Sequence, residues 1–185
     1  MKNYHFSSLL TLVLLVLLTS CSSDDENAID ADLIGTWLLT DTEIINGVGT
    51  YSLNQETVTT TTTFDFEENG NVYTVTFTEG GAINEFGGFR GVLTFIPQNG
   101  GDASSFEGYS INVGNAGYEL FEGTYTVSSN DLLVNREAVS YSADYSINGN
   151  SLTVIVDLAA VENEIFQDYD VAVSGQHRLV FEKQE

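Results

Sequence analysis

The chain is poor in the residues that build disulfides, metal sites and nucleic-acid surfaces: of 185 residues, one is cysteine, two are histidine and five are basic. A lone cysteine excludes an internal disulfide, so any fold must stand on its core. His5 and His177 are too few for a histidine-based zinc site. Against 27 acidic side chains the formal charge is −22. The basic residues beyond Lys2 (Arg90, Arg136, Arg178 and Lys183) form no patch. Such a chain repels nucleic acid, whose binding rests on cationic contacts to phosphate. No Gly-x-Ser-x-Gly elbow, no phosphate-cradling loop ending in Lys-Ser or Lys-Thr, and no Asp-x-Asp-x-Asp-Gly calcium loop occurs. Asp168 and Asp170 would share a face of an extended segment, but neighbouring carboxylates are expected by chance at this acidity. The reading is of no enzyme, no metal and no cofactor.

Long apolar runs are also scarce. The longest, Leu9 to Leu18, is broken only by Thr11 and follows Met1-Lys2. A bilayer-spanning helix needs about 20 residues, whereas a signal-peptide core takes roughly 7–15 after a charged start. Residues 1–20 are therefore expected to be a secretion signal. The run closes in Leu18-Thr19-Ser20-Cys21, which resembles the lipobox of bacterial lipoprotein precursors. That resemblance implies cleavage before Cys21 and acylation of its sulfur. The membrane would then be a partner through the N-terminal lipid, and two or more acyl chains give stable anchoring. The residues Ser22, Ser23, Asp24, Asp25 and Glu26 that follow suit a solvated tether over 21–31. They also resemble the surface-export signal of Bacteroidetes-type lipoproteins, which implies an outer-membrane protein facing the cell surface. Periplasmic orientation is the alternative. Loss of the signal leaves 27 acidic against four basic side chains, or −23.

Residues 32–185 suit one domain. Abundant Val, Ile, Thr, Tyr and Phe with one proline favour strands over disorder. Strands are expected over 33–43, 56–67, 72–79, 92–96, 109–113, 119–127, 132–136, 138–147, 152–158 and 177–183. Tyr73, Val75 and Phe77 alternate with threonines, and Val139, Tyr141, Ala143, Tyr145 and Ile147 keep one phase. Asn69-Gly70 reads as a hairpin turn, as does Asn148-Gly149-Asn150. Gly80 to Gly91 reads as a Gly-rich connection, and residues 159–167 as the one weak helical turn. The fold class expected is all-β, an antiparallel up-and-down barrel of about 8–10 strands, since closure removes sheet edges.

Leu33-Ile34-Gly35-Thr36-Trp37 resembles the Gly-x-Trp motif of lipocalins and lipocalin-like bacterial lipoproteins. In that family the tryptophan plugs the closed end of the barrel and an arginine of the last strand packs across its ring. The resemblance implies structural roles at the barrel base for Gly35, Trp37 and Arg178. It spans residues 32–185 in layout, without a clear match over Gly80–Gly117. Barrels of about eight strands hold one small ligand or fill with side chains. Tyr73, Phe77, Phe95, Tyr125, Tyr141 and Tyr145 are the candidates for the inner face. They would either contact a small apolar or amphipathic molecule in a monomeric binding protein, or fill the core of a protein- or glycan-interaction module.

Overall fold

Among the described residues, alternating buried and exposed side chains organise ten strands, and every pairing between them is antiparallel. The computed structural model describes residues 29–68, 72–100, 104–113, 120–137, 139–161 and 172–185. The strands are β1 (Gly35–Leu53), β2 (Glu56–Glu67), β3 (Thr74–Phe77), β4 (Ala82–Pro97), β5 (Ser104–Val113), β6 (Gly123–Ser128), β7 (Asp131–Asn135), β8 (Ser140–Asn148), β9 (Ser151–Asp157) and β10 (Ala172–Lys183).

The sheet closes on itself. Strands β6 to β10 form a meander of neighbours, and β10 pairs with β1 from Trp37↔Lys183 to Thr50↔Ala172. From β1 the path returns through β2 and β4 to β6, a ring of eight strands. The two remaining strands fit the same plan. β2 and β3 both pair with β1 on one side and β4 on the other, and run in the same direction. Likewise β5 and β6 both run antiparallel to β4. Each pair is one interrupted stave, so the ring follows an up-and-down order.

Two expectations are corrected here. No hairpin joins residues 56–67 to 72–79, because β2 and β3 are successive parts of one stave. The Gly-rich stretch is not a connection: β4 runs through it without a break. Glycine is required there by close packing. A Cβ on Gly91 would run into the Phe64 ring, and one on Gly87, whose φ is +89°, would meet the Val72 carbonyl. The first strand also runs longer than its hydrophobic pattern suggests. It bends at register shifts after Leu39 and Ile45, the second beside Asn46 with φ 53°. Such bulges re-aim a strand around a closed sheet.

The inner faces form one continuous core. Leu120 and Phe121 belong to it although they lie outside the strands, as do Leu158 and Val161 from the turn after β9.

Candidate functional site

Inside the ring, three levels differ in chemistry. The base, where β1 begins and β10 ends, is sealed. Residues 29–33 pass beneath the strands in a turn that buries Leu33 completely. The Leu33 carbonyl accepts the Trp37 indole N–H at 2.7 Å, so the buried ring leaves its polar atom satisfied. Asp30 accepts the Tyr145 hydroxyl at 2.8 Å, and the Asp32 carbonyl accepts Lys183 Nζ at 2.9 Å. Burial pushes the Tyr145 hydroxyl pKa well above its usual value, and the Asp30 carboxylate adds to the rise. Tyr125 shifts upward for the same two reasons. Its hydroxyl donates to the Thr78 carbonyl at 3.0 Å, and its ring meets Phe77 edge-on at 5.1 Å.

The middle level holds an inward acid. Glu85 follows Ile83 in phase on β4 and turns its carboxyl inward. Its Oε2 accepts the Tyr73 hydroxyl at 2.5 Å and the Phe121 backbone N–H at 2.9 Å. Its Oε1 is buried and meets no hydrogen-bond partner among the described residues. Burial lifts this carboxyl to a pKa of about 7, against the two donors that favour its charge. Glu122 raises it further and Arg136 opposes the rise. The same contact ties down the residues that lead into β6. The Phe121 ring packs edge-on against Phe181 at 5.9 Å, and the Leu120 carbonyl accepts the Tyr141 hydroxyl. Around Tyr73, Phe89 lies at 5.4 Å and Phe181 at 6.4 Å, ring to ring.

The upper level is built from small and polar side chains facing inward. Thr42, Thr60, Thr62 and His177 are all buried. A Cβ on Gly49 would fall 2.7 Å from both Thr60 Oγ1 and Thr62 Oγ1, so glycine lets β2 approach here. Thr42 Oγ1 lies 2.6 Å from His177 Nε2 and donates to the Arg178 carbonyl at 2.9 Å. One hydroxyl proton cannot serve both, so the assignment that satisfies both contacts has His177 Nε2–H donating to Thr42. Full burial lowers the imidazole pKa to about 4, and the ring is neutral at pH 7.

Tyr73, Phe77, Phe95, Tyr125, Tyr141 and Tyr145 all lie on the inner face and are buried. The four tyrosine hydroxyls are each held by a protein group. Gly35 and Trp37 lie at the end of the ring where β1 begins, and Gly35 has a φ of +134° that side chains rarely adopt. Arg178 does not reach Trp37. It pairs with Glu43 at 2.7 Å on the outer face, because the register places it opposite that residue. The cation over the indole is Lys183, 5.0 Å from the ring centroid. A phase count would have found it: Lys183 shares the parity of His177, Leu179 and Phe181, whereas Arg178 has the opposite one. Glu85 was also missed, and its signal was the same, a carboxylate in the inward phase of Ile83. Cys21, the export-signal residues Ser22, Ser23, Asp24, Asp25 and Glu26, and the pair Asp168 and Asp170 lie outside the described residues.

Among the described residues, no cluster of three or more His, Cys, Asp or Glu side chains could hold a metal ion. Comparison with protein-family models, curated proteins and solved structures returned no match.

Proposed function

We propose that this chain is a lipid-anchored outer-membrane lipoprotein, facing the cell surface, whose lipocalin-like barrel binds a small amphipathic molecule. One observation carries the reading. The middle of the ring is filled by Leu120 and Phe121, which come from outside the strands. Side chains of a connecting segment leave a closed sheet at far lower cost than side chains of its staves, since no ladder hydrogen bond is broken. An apolar ligand body would take the place of the Phe121 ring. A polar end that donates hydrogen bonds would meet Glu85 and Tyr73. The ligand site thus shifts from the tyrosines of the base, which serve packing, to the middle level. The Gly35–Trp37 base motif and the closed up-and-down order support the lipocalin-like assignment.

A second reading has its own support. Both Leu120 and Phe121 are fastened by hydrogen bonds, to Tyr141 and Glu85, as in a permanently filled barrel that meets protein or glycan through its loops. Native mass spectrometry of the protein, taken from its host without detergent, separates the two. A recurrent small-molecule adduct that Glu85→Ala depletes supports the ligand site. Adduct-free protein in every preparation supports the filled interaction module.

A further inference from the structure

We infer that the sealed base of the ring faces the bilayer and that the opposite rim is the end presented to the medium. The inference rests on the lipid-anchor reading of Cys21 and adds to it an orientation. The first described residues are those that close the base. Ile29 lies beside Gly81, just before β4; Asp30 is bonded to Tyr145 of β8; Asp32 is bonded to Lys183 of β10. Leu33 is buried beneath Trp37 of β1 and bonded to it. The segment is therefore fixed to four staves spaced around the ring, and cannot swing to another side of the domain. From Cys21 to Ile29 there are eight residue steps, which at full extension reach about 26–29 Å. That is too short for the chain to run from the base up past the far rim, because β1 alone has 19 residues, about 60 Å of strand before tilt and bending.

The charges around the base fit a face held near lipid without adhering to it. Asp32, Glu79, Asp131 and Glu182 are exposed there, while Lys183 is turned in toward Trp37. Acidic side chains are repelled by anionic headgroups. The acyl chains would thus hold this end close, and the domain would stand off at the length of its tether. The rim presented outward carries the turns after β1, β4 and β9. A ligand or partner arriving from the medium meets that rim.

Energy transfer on the acylated full-length protein tests this. With Cys21 occupied by lipid, a single added thiol can be labelled selectively. Asn150→Cys places a donor fluorophore in the β8–β9 turn at the base, and Asn99→Cys places it in the β4–β5 turn at the far rim. Each protein is reconstituted in phosphatidylcholine vesicles with a headgroup-labelled acceptor, and flotation is measured on the same samples. Transfer from position 150 is expected to exceed that from position 99 at least threefold. Flotation with equal transfer, or with greater transfer from position 99, overturns the orientation alone. Failure to float overturns the anchor, and the orientation falls with it.

Discussion

The base and the upper level of the ring bury their polar atoms in opposite ways. At the base, aromatic side chains carry their polar groups on their tips and hand them to backbone carbonyls or to Asp30. At the upper level, short threonines bond to the β1 and β10 backbone and to His177, with Gly49 making room. Large amphipathic rings fill space and are satisfied only at their ends; threonine hydroxyls are satisfied but fill little. The apolar filling of the ring's centre and top is therefore completed by Leu120, Phe121, Leu158 and Val161 from outside the strands. The base is a property of the staves, whereas the interior above it depends on the segments between them.

The largest expected break of this contrast is Trp37→Ala. Removing a fully buried indole should cost about 3–5 kcal/mol, read as a shift in urea midpoint. A near-neutral outcome would take the ring out of the base.

Next come Glu85 and His177, two buried groups whose linkages have opposite sign. Glu85 is raised from 4.5 to about 7 on folding, so its contribution is full below pH 4.5 and lost as pH rises through 7. His177 is lowered from 6.5 to about 4, so its contribution is full above pH 6.5 and lost as pH falls through 4. Each is worth at most about 3 kcal/mol by proton linkage, and between pH 4.5 and 6.5 the two slopes oppose each other. Glu85→Gln should therefore gain stability relative to the unaltered protein as pH rises from 4.5 to 7. His177→Asn should gain relative stability as pH falls from 6.5 to 4, whatever constant packing cost it carries. Urea midpoints measured from pH 4 to 8 check both; difference curves parallel to the pH axis would sink the assignment.

A smaller effect is expected from Tyr141→Phe, which leaves the Leu120 carbonyl without this donor. The cost should be about 1–3 kcal/mol, with faster amide exchange at Phe121 and little change at the base. Exchange that accelerates equally at Trp37 would show that the two levels are one cooperative unit. The smallest separates the two cations of β10. Lys183→Met removes a cation over the indole and a bond to Asp32, and should cost about 1 kcal/mol. Arg178→Met removes an exposed ion pair with Glu43 and should cost no more than about 0.5 kcal/mol. The reverse order of the two would return the arginine to the base.

Much of the wall was legible before its shape was known. From Tyr125 to Val156, apolar residues recur at every second position, with Leu133 and Ile155 as extra apolar residues in the outer phase, and short turns separate the runs, so β6 to β9 follow from periodicity and turn signals together. The six aromatic residues expected inside are inside for the same reason. Where the pattern misled, the cause was non-local. Asn69-Gly70 carries the signal of a hairpin, but local turn chemistry does not say whether two strands become neighbours or continue one another. Gly87 and Gly91 weaken a strand signal, yet here they admit the Val72 carbonyl and the Phe64 ring. Arg178 was placed by resemblance and not by pattern: its phase, opposite to that of His177, Leu179 and Phe181, already puts it on the outer face.

By itself, the sequence determined the class of structure and the faces of the strands, because side-chain alternation is a local property of an extended backbone. It also determined the want of disulfides, since one cysteine cannot pair within its own chain. Tertiary structure alone decided which strands share a stave and that Glu85 fastens a segment inside the ring. Those outcomes rest on contacts between residues far apart in the chain. Their geometry is set by closing the sheet, a condition that no single stretch of sequence contains.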